Sequence, residues 1–300
     1  MKTILEYINN DSLSNHIYID YGIYENAGLY NGIEELSHFL TNKIRSHQEK
    51  KFDIEYNNSD IELSKFNNIF FNKIILSCER SQKFKNEGEY IINDIVDYNN
   101  ETKTFNFVKI KLTLSLKHNG TEVYQRLLHE LTHAWDNYNA IKKGSTTLKQ
   151  ALLNTQYSDI LKAFDDNTKH KKIIGQILYF INDIEVNSFM AEFAGYLYNY
   201  IDDNTIPDPH TAIKIIKQSE LYKNYKNIGA WVTALYNDDK RISNQFKTLL
   251  YNEYNKINKT NYTEYKISKI LYNKYVKINN KIESNIGKLC SRYVKELTIK

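Results

Sequence analysis

The spacing of hydrophobic positions changes character twice along the chain. Between Gly32 and His47, the residues Ile33, Leu36, Phe39, Leu40 and Ile44 recur at three- and four-residue intervals, which predicts an amphipathic helix. From Lys51 to Leu116 the texture turns to β-branched and aromatic runs. Lys51–Tyr56 and Phe105–Leu116 alternate with period two, the signature of half-buried strands. Ile69–Leu76 and Glu89–Tyr98 supply further strands, and Asn99-Asn100-Glu101-Thr102 reads as a hairpin turn. These segments predict a small, mostly antiparallel sheet. Its last strand, Phe105–Leu116, is equally readable as an ordinary sheet member or as an exposed edge able to take an extended peptide.

Helical spacing then returns and persists to the end. Gly120 breaks the last strand and Thr121 is placed to cap a helix from Glu122 to about Ala140. A second long helix is expected from Lys172 to about Tyr200. The two prolines, Pro207 and Pro209, mark a loop, with Asp208-Pro209 as a helix start. The remainder reads helical, with turns near Asn237-Asp238-Asp239 and Asn258-Lys259-Thr260. The fold class is therefore α+β, a small antiparallel sheet packed on a helix pair, with a helical C-terminal region. The expected division is a first domain over 1–205 and a helical region over 206–300.

Composition narrows the class of protein. With 41% hydrophobic and 25% charged residues in 300, the chain has the balance of a folded globular protein. A net charge of +4, from 40 basic and 36 acidic side chains of mixed order, gives no reason to expect a nucleic-acid partner. The basic, tyrosine-interleaved stretch Lys256–Lys281, carrying Tyr262, Tyr265, Tyr272 and Tyr275, is best read as a solvated helix face, with an anionic partner as the lesser alternative. Cys78 and Cys290 stand in no metal-binding or redox spacing and are expected as free thiols. Lys2 is followed by only three uncharged residues before Glu6, so neither a signal peptide nor a membrane span is expected.

The chemistry concentrates in His129-Glu130-Leu131-Thr132-His133. Residues four apart on a helix share a face, so both imidazoles can point at one ion. Neutral imidazole suits zinc, whose catalytic sites take three protein ligands and keep one position for water. Glu130, rotated one step off that stripe, is placed to act as general base towards a zinc-activated water and then as proton donor to a leaving amine. Asp136 shares the stripe but lies about 10 Å of axial rise beyond His129, too far to bind the same ion along with both histidines. It is left between a supporting role and a plain surface carboxylate. His210, beside the Asp208-Pro209 start, and His118 are weak candidates for stabilising an oxyanion; a surface histidine is the blander reading of either.

The segment Leu127–Trp135 resembles the active-site helix of the zincin metallopeptidases. Asp136 and Asn139 stand where the metzincin subclass requires Gly and His, so that subclass does not fit. A resemblance to gluzincins implies a carboxylate ligand from a later helix, for which Asp183, Glu185 and Glu192 are available. Glu185-Val186-Asn187-Ser188-Phe189-Met190-Ala191-Glu192 is similar to the Glu-x-Asn-x-Phe-x-Ala-Glu pattern of phage-associated and mobile-element metallopeptidases, which implies Glu185 as the third ligand. Glu192, seven residues on and nearly on the same face, is the competitor, and whichever does not bind the ion is expected in an ion pair. Phe189 stands where thermolysin-like enzymes carry an acidic residue that orients a ligand histidine. Together with a likeness to phage-encoded HELTHA-type proteins, the resemblance implies a zinc (Zn2+) metallopeptidase acting on protein or peptide, in the host cytoplasm or packaged in a virion. The alternative is a phage virion or cargo structural protein with a structural or vestigial metal site.

Overall fold

The computed structural model describes residues 27–61, 70–81, 87–91, 98–115, 120–142, 144, 169–182, 185–200 and 208–298. Their contacts divide into two compact units, one holding 27–144 with 187–200, the other 169–186 with 208–298. Among these residues no helix is long and apolar enough to cross a membrane. His118 and Asp183 lie outside the described residues.

The first unit is the α+β part. Helix α1 (Ala27–Ser46) buries Ile33, Leu36, Leu40 and Ile44, the face its spacing predicts. A single mixed sheet follows, built from β1 (Lys51–Asn57), β2 (Phe71–Ser81), β3 (Glu87–Ile91), the two-residue β4 (Tyr98–Asn99) and β5 (Thr104–Ser115). The order is β1-β2-β5-β3, with β4 also pairing β5. Three pairings are antiparallel, but the longest, β2 with β5, is parallel, running from Phe71 opposite Phe105 to Ser81 opposite Ser115. The expected hairpin turn before β5 is present: the Asn99 Oδ1 accepts from the Glu101 and Thr102 backbone N–H groups, and Lys103 takes the left-handed φ of 57° that closes it.

This order overturns the reading of Phe105–Leu116 as a substrate-binding edge. β5 has β2 on one side and β3 and β4 on the other, so its backbone is already spent on ladder bonds. At that end of the order stands β3, which also lies against helix α2 (Gly120–Lys142). α2 starts one residue before Thr121, which therefore sits in its first turn rather than at the cap. From Leu127 to Tyr138 every residue of α2 is buried, so the helix is covered on all sides and its polar side chains need partners inside the protein. Aromatic packing holds its C-terminal half to the sheet side: Phe70 meets Trp135 edge-on at 5.2 Å, and Tyr138 packs near Tyr98 and Phe105.

The expected single helix from Lys172 to Tyr200 is two, α3 (Lys169–Phe180) and α4 (Val186–Tyr200). The ladder tightens at the end of α3: Ile181 N–H reaches the Ile177 carbonyl four residues back, Asn182 N–H reaches Tyr179 only three back, and Glu185 N–H turns to the Asn182 carbonyl. No Gly or Pro announces this break.

The second unit is helical: α3, α5 (Pro209–Gln218), α6 (Glu220–Tyr236), α7 (Asn244–Asn258) and α8 (Glu264–Thr298). Asp208 caps α5 by accepting from the His210 and Thr211 N–H groups, with Pro209 at the first position, as its sequence implied. Ser219 ends α5 and caps α6. The tyrosines of the basic stretch mostly pack within this unit. Tyr272 stacks on Tyr236 at 4.3 Å and Tyr275 lies 5.6 Å from Tyr225, while Tyr265 is exposed. Cys78 and Cys290 are both buried free thiols.

Glu283 of α8 ties three helices together, receiving the Tyr222 hydroxyl proton bond and the ammonium groups of Lys217 and Lys226, each at 3.0 Å. Burial works to raise its carboxyl, but these donors outweigh it and hold the group at about 2. A depressed carboxyl stabilises the fold above its unfolded value and loses that contribution as pH falls towards the folded one. Glu283→Gln is therefore expected to lower stability by about 1–2 kcal/mol at pH 7. In urea melts of both proteins the difference should shrink as pH drops below about 4.5, the ordinary carboxyl value.

Candidate metal centre

Helices α2 and α4 meet along a polar seam whose pairings run in opposite directions along the two helices. Asp136 accepts from Asn187 Nδ2 at 3.0 Å; His133 faces Ser188; His129 faces Glu192; Arg126 also reaches Glu192; and Gly195 lies over Tyr124 and Leu128. On α2 the seam is one stripe, Arg126, His129, His133 and Asp136, at spacings of three and four. On α4 it is Ser188, Glu192 and Gly195 at the same spacings. Glu185, one residue before α4, continues that stripe towards its N-terminal end.

Gly195 faces the side chains of Tyr124 and Leu128. A Cβ there would lie 3.0 Å from a ring carbon of Tyr124 and 3.2 Å from a methyl of Leu128, both of them buried side chains with little room to move.

His129, His133 and Glu185 come together, all buried, with one ligand atom from each within 4.8 Å of the others. The two histidines approach edge to face, Nε2 to Nε2 at 3.1 Å. Two nitrogens bound to one tetrahedral zinc at 2.0–2.1 Å would stand about 3.3 Å apart, so the observed spacing is close to that of a shared ion. A carboxylate with two imidazoles is a donor set that divalent zinc accepts, and the group can hold a metal ion. Glu185 is completely enclosed.

Glu192 has the other role left open for it. Its Oε1 lies 2.6 Å from Nδ1 of His129, the ring nitrogen facing away from His133, and 3.4 Å from Nη1 of Arg126. It stands behind the imidazole in an ion-pair contact that is not aligned as a hydrogen bond. For His133 the neighbour is Ser188, whose Oγ lies 3.3 Å from Nδ1 and 3.2 Å from Nε2.

Asp136 is not a surface carboxylate. It is buried, with Oδ2 held by Asn187 and Oδ1 without a hydrogen-bond partner among the described residues. Burial pushes its carboxyl up to about 6, against the Asn187 bond and the nearby His133, which act to lower it. Nothing in the sequence marked Asn187 and Ser188 as members of the site, although the seam's three-and-four spacing includes Ser188. Glu130 is buried on the same turn as the histidines, 100° from His129 and about 60° from His133 by helical rotation. His210 is exposed in the first turn of α5, within the helical unit.

Replacing Gly195 by Val should force the two helices apart and lower stability by about 1–3 kcal/mol. Thermal melts would show this as a drop of roughly 2–10 °C. Gly287→Ala, where an added Cβ meets nothing within 4 Å, should leave Tm unchanged or raise it slightly.

Compared with protein-family models, curated proteins and solved structures, the chain matches none.

Proposed function

We propose that this chain is a zinc-dependent hydrolase of the zincin type that cleaves peptide bonds, with His129, His133 and Glu185 as ligands and Glu130 as general base. The observation that supports it most is the convergence of two imidazoles and a buried carboxylate from separate helices, with a second carboxylate, Glu130, in the same helical turn. Chance packing does not ordinarily bury Glu130, Asp136 and Glu185 around a pair of histidines, because buried carboxylates are expensive without a cation to offset them.

A zinc ion held there would supply Lewis-acid polarisation of a carbonyl and make a water molecule acidic near neutral pH. The protein's share is positional. His129 presents Nε2 because Glu192 occupies its Nδ1 side, His133 presents its ring beside Ser188, and Glu185 brings negative charge that holds a dication. Glu130 takes the proton of an attacking water onto its carboxylate and returns it to the nitrogen of the leaving amine. A protein or peptide is the proposed substrate. A purely structural metal site is the competing outcome, and the variants below separate the two.

Zinc added to metal-free protein should bind at one equivalent, and chelation should lower Tm by about 5–10 °C when the free metal stands near a hundredfold above its Kd. His129→Ala, His133→Ala and Glu185→Ala should each remove that increment, whereas an unchanged Tm and no bound zinc in the parent protein would overturn the metal reading.

Glu130→Gln should retain one zinc but lose at least about a hundredfold in peptide cleavage, measured on a mixed peptide library by mass spectrometry. Zinc binding in the parent without cleavage, or equal cleavage by the variant, would leave the structural role.

A further inference from the structure

Arg126 lies outside the His129–His133 motif, on the same stripe of α2 and one turn before it. Its guanidinium donates a hydrogen bond to Oε1 of Glu192 at 3.4 Å, and Nδ1 of His129 lies 2.6 Å from the same oxygen in an ion-pair contact that is not aligned as a hydrogen bond. Arg126 is about a third exposed while Glu192 is mostly enclosed, so the chain runs from solvent inwards: arginine, carboxylate, imidazole, ligand nitrogen. We propose that Arg126 is a positioning residue of the metal centre, clamping Glu192 so that His129 carries its proton on Nδ1 and offers a bare Nε2 to the ion. This rests on the metal reading given above.

The physical case has three steps. Glutamate has three rotatable side-chain bonds, and one contact to a neutral imidazole N–H does not fix its carboxylate. The second contact, to a guanidinium that stays charged at any pH the protein meets, fixes the oxygen from a different direction and strengthens it as an acceptor. Histidine in turn has two nearly equivalent tautomers, and the one it adopts is set by the bond its second nitrogen makes. If Glu192 swings away, the proton is free to sit on Nε2, the atom that must be bare. Because Arg126 and His129 are three residues apart on one helix, their common aim at Glu192 is built into α2 and does not depend on loops.

The test uses the full chain, with Zn2+ and Co2+ as probes. Arg126→Ala should weaken zinc binding about three- to tenfold in competition titrations with a chromophoric chelator, less than the ten- to hundredfold expected for Glu192→Ala. Arg126→Lys should restore most of the affinity. In 15N-histidine spectra of the metal-free protein, His129 should be the Nδ1–H tautomer in the parent and a mixture in Arg126→Ala. That signature would not respond to a merely structural arginine. Should Arg126→Ala fold poorly, Arg126→Lys and Arg126→Met carry the same comparison. Parent-level zinc affinity with an unchanged His129 tautomer in Arg126→Ala overturns this proposal while leaving the metal centre intact. Failure of the parent protein to bind either ion overturns the metal reading and this proposal with it.

Discussion

The candidate site depends on a matching of polar side chains between α2 and α4, which meet across the seam through the side chains themselves. Gly195 stands at one end, where an added Cβ would lie 3.0 Å from a ring carbon of Tyr124 and 3.2 Å from a methyl of Leu128. Further along the seam Glu192 meets His129, Ser188 meets His133 and Asn187 meets Asp136, at intervals of three and four on α2. The donor cluster is a product of that register. A change in the crossing would uncouple Glu192 from His129 and Ser188 from His133 together, since each pair reports the same separation.

Burial on every side of α2 gives the seam its chemical character. A helix with one wet face can solvate an aspartate or a histidine; over Leu127–Tyr138 this one cannot. Each polar side chain there must find its partner inside the protein, and Thr132 illustrates the inexpensive solution by bonding the Leu128 carbonyl one turn back. The carboxylates have no such local option, because backbone carbonyls do not donate. Asp136 takes the Asn187 amide instead, and Glu185 joins the two imidazoles in a group that could hold a metal ion.

Much of this was legible in the sequence, for identifiable reasons. The His129/His133 pair follows from helical geometry alone, and α1, the cap at Asp208 and the turns at Asn237 and Lys259 follow from spacing and local side-chain chemistry, which need no tertiary information. The central place of β5 was not legible, because period-two alternation states that a strand has two faces and says nothing about its neighbours. Nor was the parallel pairing with β2. The break at Asn182 escaped because the residues around it are tolerated within a helix, and only the tightened ladder reveals the end. Glu185 and Glu192 share a helical face, so sequence spacing left their roles open; the structure brings Glu185 to both histidines and Glu192 into ion-pair contact with His129 and Arg126. Asp136 was misjudged as equally at home on the surface because one polar residue on a helix does not disclose whether all sides are covered.

The two thiols bear on where a metal goes. Cys78 and Cys290 are secluded, and burial pushes both up to about 12, so at neutral pH the soft thiolate form is scarce. Zinc and cobalt favour thiolate sulfur over imidazole when both are on offer. By keeping its sulfur protonated and out of reach, the folded chain removes its own strongest scavenger for these ions and leaves nitrogen and oxygen donors to compete. Unfolding would expose both thiols and return them towards the ordinary value of 9, where thiol reagents reach them.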